Sequence, residues 1–182
     1  MNRYWAGLIF IGVLLFVSGF SRDGAAETDA AAIEFRYEFE TPLTPKEALQ
    51  TIFDFKHLKA YSRGVHHLQQ SHRKRNSHVA LYEYRHAMFR TVIMFKRTLY
   101  RTENEIGVKM LSCWDNVPFM PELKQMTGRY KVSVSPAGKT MVRYRTVSQF
   151  ESPPGRAYRN ILHDRTVKFM EGLRLYLQEQ HN

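Results

Sequence analysis

The stretch from Gly155 to Gln180 constrains the fold more than any other part of the chain. Spaced at 100° per residue, Tyr158, Ile161, Leu162, Phe169, Met170, Leu173, Tyr176 and Leu177 fall on one broad face. Arg156, Asn160, His163, Asp164, Glu171, Arg174 and Gln178 fall opposite. A long amphipathic helix must bury its apolar face against something. The preceding chain supplies alternating strands, so the helix is expected to close a sheet that wraps around it. Such an arrangement often leaves space between helix and sheet.

The first residues read as a targeting segment. Arg3 supplies a positive charge, Leu8 to Phe20 carries none, and Gly24-Ala25-Ala26 offers small residues at a cleavage site. At 1.5 Å per residue the uncharged stretch reaches about 20 Å, short of the ~30 Å hydrocarbon core. The expectation is a signal peptide over residues 1–26, a flexible lead over 27–32 and one domain over 33–182, periplasmic or secreted. An uncleaved N-terminal membrane anchor is the alternative. No cysteine follows the apolar stretch, which excludes a lipoprotein anchor there, and no twin arginine precedes it, which points to export of an unfolded chain.

Cys113 is the only cysteine, so packing without an internal disulfide must hold the fold, and a buried thiol is expected. Lysine and arginine number 27 against 17 aspartates and glutamates, a net charge of +10. That balance favours anionic partners. For an exported chain an anionic membrane surface is expected ahead of nucleic acid.

Ile33 to Glu40 alternates without a break, with Ile33, Phe35, Tyr37 and Phe39 on one side, and predicts a half-buried strand. Thr44-Pro45-Lys46-Glu47 starts a helix: Thr44 caps, Pro45 suits the first helical position and Glu47 completes a capping box. Ala48, Leu49, Ile52 and Phe53 give that helix its apolar side, and a second short helix is expected over His57 to Ser62. Hairpins follow around Asn76-Ser77, Thr102–Glu105 and Pro136–Lys139, with strands over 65–74, 78–86, 91–101, 106–111, 128–135 and 140–150. Trp114 to Met126 contains Pro118 and Pro121 and reads as a loop with a helical turn.

The order strand, two helices, six strands and long helix resembles the START-like superfamily, which includes birch-pollen-type allergens, lipid-transfer START domains and polyketide cyclase/dehydratases. The local likeness lies in Thr44-Pro45-Lys46-Glu47-Ala48 through Phe53-Asp54-Phe55-Lys56-His57-Leu58-Lys59-Ala60-Tyr61. It is similar to the family's stretch where the first helix ends and an Asp-containing segment leads to a Tyr or Trp. Ser62-Arg63-Gly64 stands where the family usually has a proline. The resemblance implies an α+β helix-grip fold: a curved antiparallel sheet around a long C-terminal helix, with two short helices after the first strand. It also implies a hollow interior, whereas periodicity alone leaves hollow and filled open.

Alternation likewise leaves two choices on the central strands: Ala80, Tyr82 and Tyr84 or Val79 and Leu81 inward, then Val92 and Met94 or Ile93 and Phe95. Arg165 falls inside the apolar face of the final helix, where a guanidinium can meet a ligand carboxylate or phosphate, or turn to the mouth or to Asp54. Gly172 lets a neighbour approach closely. Trp114, Phe119 and Met120 form an apolar patch suited to gating a mouth or touching a membrane. Arg129, Lys131, Arg143 and Arg145 share the outer sheet face, and His72-Arg73-Lys74-Arg75 form a basic hairpin tip. His66, His67, His72, His78 and His86 show no ligand spacing and are expected to be exposed, with no metal site.

No nucleophile motif, phosphate loop or dinucleotide fingerprint is present, so no catalytic residue and no cofactor are expected. The expected function is binding of a hydrophobic or amphiphilic small molecule (lipid, sterol-like or polyketide-like) for transport or sequestration. Its expected lining is Phe53, Tyr82, Tyr84, Met94, Trp114, Phe119, Arg165, Phe169 and Leu173. The alternatives are a cyclase/dehydratase-type enzyme using Arg165, Tyr144 or Asp115, and an interaction protein using its basic sheet face.

Overall fold

The computed structural model describes residues 31–86, 89–115 and 120–180. The segment read as a signal peptide lies outside them, as do residues 27–30. Strand β1 (Ala32–Thr41) leads into helices α1 (Pro45–Phe53) and α2 (Phe55–Tyr61). Strands β2 (His67–Lys74), β3 (Ser77–His86), β4 (Phe89–Tyr100), β5 (Glu105–Asp115), β6 (Leu123–Val134) and β7 (Thr140–Phe150) follow, and α3 (Arg156–Glu179) closes the chain. The seven strands form one antiparallel sheet in the order β1-β7-β6-β5-β4-β3-β2, so the first strand pairs with the last.

Local chemistry fixes the helix starts. The Glu47 N–H donates to Thr44 Oγ1 at 3.3 Å and the Thr44 N–H returns to Glu47 Oε2 at 2.9 Å, the reciprocal box that satisfies two orphan donors. Asp54 ends α1 and caps α2 by accepting from the Lys56 N–H at 3.1 Å. That cap starts α2 two residues before the expected His57.

The expected loop over 114–126 is strand at both ends, 114–115 and 123–126, irregular over 120–122, and outside the described residues over 116–119. β5 runs on to Asp115 because its ladder with β4 continues from Ser112 to Asp115 against Met94 to Thr91. β6 starts at Leu123 because it pairs with Phe150 of β7. Both extensions rest on partners distant in sequence. Between β5 and β6 themselves pairing stops at Lys109 and Thr127, so the two strands part beyond that point.

The alternation resolves in one direction. Ala80, Tyr82, Phe95, Leu99, Ile106, Tyr130, Val132, Val142 and Tyr144 belong to the core, with Tyr84, Ile93, Val108 and Met110 packed beside it. Val134 is exposed at the end of β6 although Tyr130 and Val132 on the same face are buried.

α3 packs unevenly. Met170, Leu173 and Leu177 are fully buried, whereas Ile161, expected on the same buried face, is 48% exposed. The helix leans on β1, α1 and α2, and not to a comparable extent on β3, β4 or β5. Contact with β1 also claims Glu171, which accepts from the Tyr37 hydroxyl although it falls on the polar side of the helical wheel. Gly172 is where α3 crosses α2: an added Cβ would stand 2.7 Å from the Tyr61 carbonyl oxygen.

Candidate functional site

The uneven packing of α3 defines the site. Its second half seals one end of the sheet. Over the other end Tyr158, Leu162, Thr166, Val167 and Phe169 are only half-buried, above inward-facing Phe35, Tyr84, Ile93, Met110 and Met126, which are half-buried too. Inward apolar residues on central strands are normally sealed. Here they stay partly accessible, an apolar strip between α3 and the sheet, called the groove below, at the end where β5 and β6 part.

Aromatic contacts build its walls. The Tyr82 and Tyr84 rings stack with centroids 6.4 Å apart, and Tyr82 meets Phe95 edge-on at 5.5 Å. Tyr158 holds the start of α3 against Phe150 at 5.8 Å, and His163 meets Phe35 at 5.5 Å. Arg165 lies at the rim, its Cζ 6.0 Å from the Tyr84 ring centroid, a cation–π contact at the mouth and not a pair with Asp54. Burial pushes the Tyr82 and Tyr84 phenols up, and burial with nearby Asp115 and Cys113 pushes Tyr158 up to about 12. The half-buried Cys113 thiol is pushed up to about 11 by burial and by Asp115 and Glu122, so it stays protonated and is a poor nucleophile.

Of the expected lining residues, Tyr82, Tyr84 and Arg165 come together at the groove, with Phe169 at its inner limit, where its ring meets Tyr61 at 5.6 Å. Phe53 and Leu173 are buried in the sealed end. Met94 stands on the opposite sheet face: its neighbours Ile93 and Phe95 point inward, and it pairs with Leu81 and Ser112. Trp114 also faces away from α3. It is 52% exposed opposite Val92, with the Arg90 guanidinium 5.7 Å from its ring centroid. Phe119 lies outside the described residues.

The outer cations share a face as anticipated, and each meets a carboxylate. Arg145 bonds Glu34 at 2.9 Å, Arg143 bonds Glu38 at 3.2 Å, and Arg129 and Lys131 both reach Glu105 at 3.1 Å. Tyr144, considered above as a catalytic group, is buried against Tyr130 with centroids 4.6 Å apart, and burial pushes its phenol up.

A buried polar node in the sealed end was missed in the sequence. Arg97 is 1% exposed. Its Nη2 donates to the Ile52 carbonyl at 2.7 Å and to the Tyr61 hydroxyl at 3.4 Å, and Tyr61 itself donates to Ile52 O at 2.9 Å. Ile52 O lies in the last turn of α1, where carbonyls lack helical partners and a cation is favoured. Arg97 Nη1 has no partner among the described residues. The signal was available: Ile93, Phe95, Arg97 and Leu99 share one face of β4. His78, directly opposite Arg97 in the β3–β4 ladder, is 3% exposed, contrary to the expectation of exposed histidines. Its ring sits 4.9 Å from Phe53 and 6.2 Å from Phe55. No group of three or more potential metal ligands occurs among the described residues.

The chain matches no protein-family model and no curated protein in sequence. In structure it is similar to a Thermus thermophilus protein (TM-score 0.68, 12% identity, covering 82% of this chain and 100% of that one). It is also similar to the Zhui aromatase/cyclase of a Streptomyces species (TM-score 0.67, 8% identity, 83% and 96%). A major latex-like protein of Panax ginseng aligns with TM-score 0.61 and 6% identity over 84% and 99%. The fold is therefore the helix-grip fold, shared with these solved structures. Identities this low speak to fold alone.

Proposed function

We propose that this chain binds a hydrophobic or amphiphilic small molecule in the groove between the first half of α3 and the sheet, and carries or sequesters it outside the cytoplasm after removal of residues 1–26. The half-burial of Tyr84, Ile93, Met110 and Met126 under the unsealed half of α3 carries this reading. Apolar walls with a few phenols and one rim guanidinium suit a ligand with an apolar body and a polar end. Tyrosines and a thiol held protonated favour hydrogen-bonding a ligand over proton abstraction, which ranks binding ahead of cyclase-type catalysis.

Native mass spectrometry of the protein purified from its host's envelope fraction tests this. The expected result is a bound species lost on organic extraction, with an N-terminus at Glu27. A protein that is empty, and stays empty when offered lipid and sterol mixtures, overturns the carrier reading.

A further inference from the structure

A second concavity lies apart from the groove, between the α1–α2 junction and the β2–β3 hairpin. It is a half-open depression of about 500 Å³ lined by Gln50, Phe53, Asp54, Phe55, Gln70, Arg73, Lys74, Arg75 and His78. Three cations thus stand on one wall, and none of them forms an ion pair among the described residues. The ladder shifts register between Ser71 and Lys74, a bulge that puts Arg73 and Lys74 out of simple alternation. The single carboxylate on the lining, Asp54, is engaged as the cap of α2.

The buried polar member of the lining is His78. It lines this concavity, is almost wholly buried, and its Nε2 has no hydrogen-bond partner among the described residues. That atom is closed off from solvent, so a group in the concavity meets the His78 ring and not Nε2. Behind it stands the Arg97 guanidinium, directly across the ladder and also incompletely satisfied. A group entering here meets positive charge from Arg73, Lys74 and Arg75 at the wall and from Arg97 beyond His78, against one carboxylate. Gln50 and Gln70 add amide donors, and Phe53 and Phe55 offer an apolar flank.

We infer that this concavity is a phosphate site, in which Arg73, Lys74 and Arg75 engage the oxygens of a phosphate group beside the His78 ring. A dianion with oxygens on several sides uses two guanidinium groups and an ammonium more fully than a carboxylate does. The volume leaves room for the group that bears the phosphate, either a small soluble molecule or a lipid head. The site is independent of the ligand in the groove, so either can fail without the other.

The test follows the His78 ring signals by NMR at pH 6.5, identified through their contacts with Phe53. Inorganic phosphate is titrated at constant ionic strength against chloride. The expected result is a saturable shift with phosphate, absent with chloride, and at least about tenfold weaker in R73Q/K74Q/R75Q, whose changes lie on exposed positions. Glycerol phosphate and vesicles of phosphatidic acid, compared with phosphatidylcholine vesicles, separate the sources. A response to soluble phosphates alone assigns a free ligand, and one strengthened by phosphatidic acid vesicles assigns a head group. No response to any of them, or an undiminished response in the triple variant, overturns the inference.

Discussion

Gly172→Ala should destabilise the protein although alanine is the better helix former. In an open helix interior the exchange gains about 0.8–1.0 kcal/mol. At this position the new methyl would sit 2.7 Å from the Tyr61 carbonyl oxygen and 3.4 Å from Arg63 Cγ and Cδ. The arginine chain can yield. The carbonyl cannot, because it is backbone at the end of α2, accepts the Arg63 N–H at 2.8 Å, and belongs to the residue whose hydroxyl joins Ile52 and Arg97. Relief therefore requires α3 to lift from α2, an overpacking of the kind that costs about 1–3 kcal/mol. The net expectation is a loss of about 1 kcal/mol, reaching about 2 if Leu173 and Leu177 lose contact. Urea unfolding followed by circular dichroism measures it, with a fall in Tm of about 2–4 °C per kcal/mol for a domain of this size. A variant as stable as the parent, or more so, would refute the close crossing of α2 and α3.

Thr44→Ala removes one half of the capping box and should cost about 1 kcal/mol in the same assay, whereas Thr44→Ser should retain most of it. Burial, with Arg97 nearby, holds His78 at about 4, below its ordinary 6.5. The unfolded chain therefore takes up a proton that the folded chain refuses, and stability should fall as pH drops from 6.5 to 4, by at most about 1.4 kcal/mol per pH unit for one proton. His57, lowered by burial, acts in the same direction. Below that window Glu34 and Glu83, held at about 2 by Arg145 with Arg36 and by Arg90 with Arg85, lose their contribution as they are protonated. Denaturation at pH 7, 5.5 and 4.5 should show a shallower slope in His78→Phe, and an unchanged slope would contradict the burial of His78. Arg97→Met should match or exceed the parent's stability, because it removes a buried cation without a carboxylate, while Arg97→Ala should lose about 2–4 kcal/mol to the cavity. Equal losses in both would show that the Ile52 and Tyr61 hydrogen bonds outweigh the desolvation.

Local signals carried far into the fold. The capping box at Thr44, the alternation of Ile33 to Glu40 and the apolar stripe around Leu173 each act within a few residues, and each matches its element. Features set by distant partners were not legible. The strands flanking Pro118 and Pro121 exist because β4 and β7 lie alongside them, and a window of neighbouring residues contains neither. Alternation separates the two faces of β4 without saying which one turns inward, and Met94 was assigned to the wrong one. Arg165 was placed near the groove by the helical wheel, but which of its possible partners it would meet was not legible, and the face of Tyr84 was not among them. Arg97 and His78 stayed hidden because charged and polar residues are expected outside, while the bare carbonyl of Ile52 and the shelter of Phe53 arise only once α1 lies on the sheet.

The paired outer charges bear on how the sheet assembles. Arg129 stands directly opposite Arg145 and Lys131 opposite Arg143 across β6 and β7. A hairpin formed by these two strands alone would set like charges face to face, a destabilising arrangement. Its neutralising glutamates come from β5 and from β1, the latter more than a hundred positions upstream of Arg143 and Arg145. The most local pairing in the C-terminal half is thus a poor nucleus. The sheet should gain this edge late and in one concerted step with β1, and added salt, by screening the repulsion, should speed that step.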